Sequence, residues 1–376
     1  MRVDFNVPMA PETTRISDDS RIRESLPTIR YLRERQARVI LCCHFGRPKG
    51  RVVEKMRLAP VRKRLGELLE LDVLDAAGPG GGEPASRTMG MGPGDVALLE
   101  NLRFDRREEA NDDGFARELA SLADIYINDA FGTAHRAHAS TVGVAQHLSA
   151  VAGMLMAREL EMLGAAIASP LSPVVAIVGG AKVSDKIAVL ENLARNVDRV
   201  LIGGGMVAAF ARAFGHSGGA GDSTPEDVAA ARALLGDSPA EILVPPDVVT
   251  GAAFAEDTPA VVRKLDDIPD SELILAIGPE ACGAFTDAIS DARTIIWNGP
   301  PGVFEWEAFS GGTKAVANAV ASNESATSIV GGGSTAEAVR AFGVDHLISH
   351  VSTGGGASLE FLEGKTLPGV AALLDK

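Results

Sequence analysis

Short runs of consecutive apolar residues recur along the chain, separated by longer stretches with apolar residues at helical spacing. Runs without polar alternation are typical of parallel strands that are covered on both faces. Strand–helix alternation over the whole length predicts an α/β fold. The expected buried strands lie at 38–43, 95–99, 174–178, 199–203, 241–244, 274–277, 294–297 and 328–330.

Helical spacing is clearest over 24–35 and 59–71. A further helix over 225–235 begins with Thr224 as an N-cap candidate, followed by Pro225 at the first helical position. The stretch 151–169 also has a helical pattern, which Pro170 and Pro173 break. We therefore expect a stiff helical connector between two halves of the chain.

Composition excludes several classes of protein. With 46% apolar residues among 376, the chain can bury sizeable cores, so intrinsic disorder is not expected. Three cysteines exclude a disulfide scaffold and fit a reducing compartment. No apolar run approaches the roughly 20 residues of a membrane span, and the start lacks the pattern of a secretion signal. A cytoplasmic protein without a membrane partner is the expectation.

The net charge of −14 is confined to the second part of the chain. Residues 1–150 carry 22 Lys+Arg against 22 Asp+Glu, whereas residues 151–376 carry 14 against 28. Nonspecific nucleic-acid binding needs a net positive surface, so a nucleic-acid partner is not expected. A small anionic ligand held by a few arginines remains compatible with this balance.

Glycine-rich segments follow several predicted strands of the second half. A glycine there allows the backbone to approach a ligand, and the next helix N-terminus offers free N–H groups to a phosphate. One such loop is more often a packing turn, but four favour a nucleotide or phosphate cleft. None matches the P-loop or dinucleotide fingerprint. The segments are Gly179-Gly180-Ala181-Lys182, Gly203-Gly204-Gly205, Gly331-Gly332-Gly333-Ser334-Thr335 and Gly354-Gly355-Gly356.

Arginines mark the first half. Their planar donors suit carboxylate and phosphate oxygens, although any one of them alone is more often a solvated surface charge. If they stand at strand ends, they share the edge of a parallel sheet at which ligands bind. The five are Arg2, Arg21, Arg47, Arg103 and Arg136.

Histidines, cysteines and lysines are the remaining candidates for functional residues. His44, His135 and His138 are possible metal ligands or bases, but hydrogen-bonding roles beside the arginines fit better, because His-x-x-His alone is a poor zinc signal. The adjacent Cys42 and Cys43 are expected in the core. Two lysines four residues apart, Lys182 and Lys186, would share a helix face beside a glycine-rich loop. That face suits a transferring phosphoryl group, and a solvated helix face is the alternative.

Seven longer motif segments occur in order along the chain. They are Arg2-Val3-Asp4-Phe5-Asn6-Val7-Pro8, His44-Phe45-Gly46-Arg47-Pro48, Leu99-Glu100-Asn101-Leu102-Arg103-Phe104, Asn128-Asp129-Ala130-Phe131-Gly132-Thr133-Ala134-His135-Arg136-Ala137-His138, Gly179-Gly180-Ala181-Lys182-Val183-Ser184-Asp185-Lys186, Trp297-Asn298-Gly299-Pro300-Pro301-Gly302-Val303-Phe304-Glu305 and Ser352-Thr353-Gly354-Gly355-Gly356-Ala357. Together, these segments closely resemble the phosphoglycerate kinase family, and the resemblance runs from Arg2 to the C-terminus.

The resemblance implies an α/β fold of two Rossmann-like domains with parallel sheets, joined by a helix, with the C-terminal tail packing back on the N-terminal domain. The expected bounds are 1–152 with the tail 364–376 for a triose-phosphate domain, 153–169 for the helix and 170–363 for a nucleotide domain. It implies a glycolytic, monomeric, hinge-bending transferase. The reaction would move the acyl phosphate of 1,3-bisphosphoglycerate to ADP, giving ATP and 3-phosphoglycerate, reversibly and with Mg²⁺.

The resemblance also implies roles for individual residues. Arg21, Lys182 and Lys186 would be catalytic, and Glu305 would hold the ribose hydroxyls. The implied triose-phosphate site comprises Asp4, Phe5, Asn6, Arg21, His44, Phe45, Gly46, Arg47, Arg103 and Arg136. The implied nucleotide site comprises Lys186, Gly278, Glu305, Gly332, Gly333, Ser334 and Thr335.

Two features depart from the family pattern. Ser334 stands where relatives usually have an Asp that meets the nucleotide-bound Mg²⁺; a hydroxyl can still reach the metal but brings no charge. The chain also begins at Met1-Arg2, where relatives carry about a strand more, so either the true start lies earlier or this edge of the sheet is reduced.

These departures motivate an alternative, a catalytically weakened relative that acts as a binding or regulatory protein. A nucleotide-cofactor oxidoreductase on a similar fold is a third reading, which leaves the arginines unexplained.

Overall fold

The computed structural model describes residues 1–10, 13 and 15–374. The chain folds into two compact units, Met1–Glu161 with the tail from Thr366 onward, and Met162–Lys365. The division falls inside the helix Met154–Ala168. Residues 151 and 152, which we expected at the start of that helix, instead end a strand.

Six strands lie in the described part of the first unit: β1 (Arg2–Val3), β2 (Val39–Leu41), β3 (Leu74–Asp75), β4 (Val96–Leu98), β5 (Ile125–Asp129) and β6 (Ser149–Ala152). They form two parallel ladders, β1-β5-β6 and β2-β4-β3. The ladders meet where the Val3 amide donates to Cys42 O at 3.1 Å and the Cys42 amide to Met1 O at 3.0 Å. The combined order is therefore β3-β4-β2-β1-β5-β6.

The helices of this unit before α6 are α1 (Ser20–Glu34), α2 (Ala59–Leu69), α3 (Gly82–Thr88), α4 (Arg106–Glu109) and α5 (Asp113–Ala120), and α1, α2 and α5 pack on the sheet. Leu41 packs in one core with the buried sides of α1 and α2. Its neighbour Cys42 packs in another core with Phe115 of α5. Since successive strand residues point to opposite faces, the apolar run 38–43 has to be buried on both sides, and the expected core position of Cys42 and Cys43 is confirmed.

The second unit begins within α6 (Met154–Ala168) and contains a six-stranded parallel sheet. Its order is β15-β14-β13-β7-β8-β9, and every position of β7 is buried. The strands are β7 (Val174–Gly179), β8 (Arg199–Gly203), β9 (Glu241–Leu243), β13 (Thr294–Asn298), β14 (Thr327–Gly331) and β15 (His350–Val351). The remaining strands of the unit are β10 (Asp247–Gly251), β11 (Val261–Lys264) and β12 (Leu273–Ile277).

Two strand predictions need correction here. We expected 274–277 to be a parallel strand, but β12 pairs antiparallel with β10 in a separate sheet of order β11-β10-β12. An apolar run records burial of both faces and carries no information on strand direction. We also expected 241–244 to be buried, but β9 is an edge strand with an exposed Glu241 and two half-buried residues.

The helices of the second unit are α7 (Ile187–Asn196), α8 (Val207–Ala213), α9 (Pro225–Asp237), α10 (Pro279–Ser290), α11 (Gly311–Ser322), α12 (Gly333–Ala341) and α13 (Gly356–Leu362). Helix α9 has the expected start: Thr224 Oγ1 accepts from the Asp227 amide, and the Asp227 carboxylate accepts from the Thr224 amide. This reciprocal capping stabilises the first turn.

The tail joins the first unit through α14 (Pro368–Ala371). The Gly369 amide donates to Ala134 O at 2.8 Å, and Asn128 Nδ2 donates to Gly369 O at 3.2 Å. A Cβ on Gly369 would lie 2.9 Å from Ala134 Cα, so this contact needs glycine. The expected return of the tail is confirmed, although residues 375 and 376 lie outside the described residues. Among the helices that are described, none has the length and apolar character to span a membrane.

Candidate functional site

Loops after β1, β2, β4 and β5 gather most of the polar residues predicted for the first half. Because the strands are parallel, their carboxyl ends meet at one edge of the sheet, where ligands bind in such folds. Asp4, Phe5 and Asn6 follow β1; His44, Phe45, Gly46 and Arg47 follow β2; Arg103 follows β4; Arg136 follows β5.

Two of the five arginines do not occupy the expected strand ends. Arg21 lies in the first turn of α1, which begins four residues before the predicted helix because polar residues hide its start. Arg2 lies within β1 and is buried. Both nevertheless lie near the other arginines, because burial and the positive charges of four guanidinium groups lower the pKa of His44. We call these four residues and Arg47 the arginine cluster; the four are Arg2, Arg21, Arg103 and Arg136. Arg47 is exposed in the loop after β2.

Asn101 ties these loops together and is fully buried. Its Oδ1 accepts from the amides of Phe45 and Arg103, each at 3.1 Å. Its Nδ2 donates to Phe45 O at 2.7 Å and to Met56 O at 3.0 Å. The loops after β2 and β4 therefore share one side chain as their cross-link.

Gly46 receives contacts from two further loops. Its amide donates to Asn6 Oδ1 at 2.9 Å, and its carbonyl accepts from Arg103 Nη1 at 2.8 Å. Its φ of +63° is in the left-handed region, which favours glycine. Gly46 thus joins the loops that follow β1, β2 and β4.

Buried counter-charges hold the arginines in place. Arg2 Nε donates to Ser140 Oγ at 2.9 Å, and Ser140 Oγ donates to Glu108 Oε1 at 2.6 Å. Glu108 is completely buried, and this desolvation raises its pKa. On α1, Arg21 Nη1 forms an ion pair with Asp4 Oδ2 at 2.7 Å. Arg103 is 3% exposed, and its Nε forms an ion pair with Glu109 Oε1 at 3.3 Å.

His44 is neutral in this environment. Burial, followed by the four guanidinium groups, lowers its pKa well below the usual value. Arg2 Nη2 lies 3.0 Å from His44 Nδ1. Since arginine can only donate, Nδ1 is the acceptor and the ring proton is on Nε2. His44 therefore offers one N–H donor without a charge. Burial also lowers the pKa of His138 to about 4.

A pocket in the second unit lies at the carboxyl ends of β7, β8 and β13. Its backbone turns are tight: Gly299 has a φ of +94°, and a Cβ there would lie 2.1 Å from Gly179 O. The lining comprises Gly179, Gly180, Ala181, Lys182, Lys186, Gly204, Gly205, Gly221, Asp222, Phe254, Leu273, Ile274, Leu275, Gly299, Pro300, Gly302, Val303, Glu305 and Ser334.

The two lysines of the pocket differ in environment. Lys186 Nζ donates to Gly179 O at 2.5 Å, Asn298 O at 2.9 Å and Asn298 Oδ1 at 2.7 Å, and burial lowers its pKa to about 8. Lys182 Nζ pairs with Asp222 Oδ2 at 2.5 Å, and this contact raises the lysine pKa. The expectation of a shared helix face is wrong, because both lysines precede α7, which begins at Ile187.

Other predicted nucleotide residues lie beside the pocket or away from it. Gly332 has a φ of +92° and precedes α12. Thr335 is buried, and its Oγ1 accepts a hydrogen bond from the amide of the lining residue Gly299 at 2.7 Å. Thr335 therefore holds the backbone of the lining in place without lining the pocket itself. Gly333 is the first residue of α12. Gly278 precedes α10 and does not line the pocket. Of the four glycine-rich segments, Gly354-Gly355-Gly356 also lies outside the lining.

Sequence reasoning missed several residues. Asn298 directly follows an apolar strand run and Asn101 lies two residues after another, so the strand-end rule that selected the arginines would also have selected them. Asp222 and Phe254 line the pocket from segments without strand or motif signals. No local pattern could have identified those two.

Comparison with known proteins identifies the family of this chain. The family model described as "Phosphoglycerate kinase" matches residues 1–365. The chain belongs to the phosphoglycerate kinase family. A phosphoglycerate kinase of Moorella thermoacetica is 52% identical over 382 residues, covering 100% of this chain and 96% of that protein. One of Synechococcus elongatus is 51% identical over 381 residues, covering 100% and 94%.

Solved phosphoglycerate kinase structures have the same fold. The structure from Coxiella burnetii has a TM-score of 0.87 and 41% identity, covering 99% of this chain and 94% of that one. The structure from Pyrococcus horikoshii OT3 has a TM-score of 0.85 and 33% identity, with coverage of 99% and 94%. The two-domain α/β expectation and the expectation of a phosphoglycerate kinase, a phosphotransferase using ATP or ADP, are confirmed. Nothing favours the catalytically weakened relative.

Proposed function

We propose that the two sites divide the substrates of one reaction, the reversible transfer of the acyl phosphate of 1,3-bisphosphoglycerate to ADP, which gives ATP and 3-phosphoglycerate. The observation that carries this proposal is the pair of anion sites, each at the carboxyl edge of a parallel sheet. The arginine cluster belongs to the segment 1–152, and the lysine pocket to 170–363. A monomer in the cytoplasm is proposed with it.

In the first site, the triose phosphate is held by Asp4, Phe5, Asn6, Arg21, His44, Phe45, Gly46, Arg47, Arg103 and Arg136. Arginine forks suit both the carboxylate and the phosphate of such a ligand. His44 adds a neutral N–H donor, because its Nδ1 already accepts from Arg2. Arg21 is half-buried and held by Asp4, so its remaining N–H groups are available to the reacting group.

In the second site, Lys182 and Lys186 bind the phosphates, and Glu305 accepts from the ribose hydroxyls. Gly332, Gly333, Ser334 and Thr335 form the loop and helix start beside the phosphates, and Gly278 lies farther out. The apolar side chains of Phe254, Leu275 and Val303 in the lining suit a base ring.

Mg²⁺ fits this pocket as part of the nucleotide and not as a resident ion. In nucleotide sites the ion is held by one or two protein oxygens together with phosphates and water. No group of three His, Cys, Asp or Glu side chains suited to a metal occurs among the residues that the structure describes. The Ser334 hydroxyl is exposed in the lining and would contact the ion directly or through water. When bound, Mg²⁺ neutralises charge on the phosphates.

The chemistry needs no protein nucleophile or general base, since the substrate carboxylate is itself the nucleophile in the ATP-consuming direction. Phosphoryl transfer depends on in-line placement and on donors for the charge of the equatorial oxygens. Arg21, Lys182 and Lys186 are the side chains proposed for that stabilisation.

The direct test is a coupled assay with purified protein. ATP, Mg²⁺ and 3-phosphoglycerate should give 1,3-bisphosphoglycerate, which glyceraldehyde-phosphate dehydrogenase reduces with loss of NADH absorbance. Omitting 3-phosphoglycerate is the control. No NADH loss with folded protein would reject the proposed reaction.

A further inference from the structure

Asp222 is an acidic residue in a pocket that should attract anions. It lines the pocket together with Lys182, Lys186 and Ser334. Its Oδ2 lies 2.5 Å from Lys182 Nζ, and its side chain is 79% exposed. The carboxylate is therefore solvated and paired with the more exposed of the two lysines.

The other lysine does not share this arrangement. Lys186 is held by two backbone carbonyls and the Asn298 amide oxygen, and none of these three partners carries a charge. Only Lys182 must give up a charged partner if it is to contact a phosphate. Once it does, the Asp222 carboxylate remains unpaired beside the polyanion.

The cost of that exchange depends on the charge of the nucleotide. Like charges at a solvent-exposed site repel each other by an amount proportional to the product of their charges. A divalent cation on the phosphates removes two negative charges, so the repulsion from Asp222 falls steeply for the metal complex. Ser334 is uncharged and supplies no comparable discrimination.

We propose that Asp222 makes the nucleotide site select the Mg²⁺ complex of a nucleoside diphosphate over the bare diphosphate. It acts as an exchangeable counter-ion of Lys182 and by repulsion, without ligating the metal. This inference rests on the proposed nucleotide site of the second unit.

The experiment is calorimetric titration of the full chain with ADP, once in EDTA and once in excess Mg²⁺. Asp222→Asn should tighten binding of metal-free ADP by about three- to tenfold, since it removes one exposed charge. Binding of Mg²⁺–ADP should change by less than about twofold, because little net charge remains to be repelled. Asp222→Glu should retain the preference of the original chain.

Asp291→Asn is the matched control. Asp291 is also an exposed carboxylate, paired with Arg199 at 2.6 Å, but it does not line the pocket. Its replacement should change neither affinity. Equal shifts of both affinities in Asp222→Asn, or no shift, would overturn the inference while leaving the nucleotide site intact. Failure of the unsubstituted chain to bind either form of ADP would overturn the nucleotide site itself and the inference with it.

Discussion

The arginine cluster of the first unit and the lysine pocket of the second are both suited to bind an anion, but they use different chemical groups. The cluster uses guanidinium groups fixed by buried partners, such as Glu108 behind Arg2 and Asp4 beside Arg21. The pocket uses glycine backbone and two lysines in the half of the chain that carries all of the net −14. Net charge of a region is thus a poor guide to its ligands, because local donors and desolvation dominate at the site.

The largest effect should come from Arg21→Ala. If Arg21 stabilises the transferring group, kcat should fall by about 10³-fold or more, by analogy with arginines that act on phosphoryl transfer. The Kd for ADP, measured by calorimetry, should stay nearly unchanged because the pocket lies in the other unit. A near-normal kcat would contradict the assigned role, and Arg47→Ala provides a comparison at an exposed arginine.

Loss of a side-chain hydrogen-bond acceptor should destabilise the protein more in the loops of the first site than in those of the second. Asn101→Ala leaves buried amides of Phe45 and Arg103 without acceptors, so the free energy of unfolding should fall by about 2–4 kcal/mol. Thr335→Val removes a single hydrogen bond to Gly299 and should cost about 1–2 kcal/mol. Urea unfolding measures both. Equal losses would show that the first site is no more dependent on side chains than the second.

Alkaline pH should weaken ligand binding at the lysine pocket but not at the arginine cluster. The pKa of Lys186 is lowered to about 8 by burial, so raising the pH above 8 removes its proton and its charge in the free protein. ADP binding should then weaken about fivefold between pH 8 and pH 9. Arginines stay protonated throughout this range, so binding of 3-phosphoglycerate should change little. Calorimetry at both pH values tests this, and parallel weakening of both ligands would refute the assignment to Lys186.

The smallest effect is expected from Ser334→Asp. A carboxylate at this position would contact the metal more strongly than a hydroxyl, so the Mg²⁺ concentration for half-maximal rate should fall a few-fold. A titration of initial rate against Mg²⁺ gives the value, with Ser310→Asp as a surface control. An unchanged half-maximal concentration would show that the metal does not sense residue 334.

Burial was the best predicted property of the fold. The runs 174–178, 199–203, 294–297 and 328–330 are strands of the parallel sheet, and each is covered on both faces. The run 274–277 was equally apolar but lies in an antiparallel sheet. Strands of two residues, such as Arg2–Val3, are too short for any periodicity to show.

The candidate residues were predicted better than their arrangement. Arg103 and Arg136 follow strands as expected, whereas Arg21 comes from a helix whose polar first turn has no apolar spacing. The partners that fix them were not foreseen. Glu108 and Ser140 lie far from Arg2 in the sequence and meet it only in the folded unit.

By itself, the sequence of this protein determined the α/β class, the positions of most strands of the six-stranded parallel sheet and the residue types at strand ends. These follow from local periodicity and from the chemistry of single side chains. Only the tertiary structure decided which protons and charges those residues carry. The neutrality of His44, the lowered pKa of Lys186 and the pairing of Lys182 with Asp222 all depend on desolvation and on charges brought from distant segments.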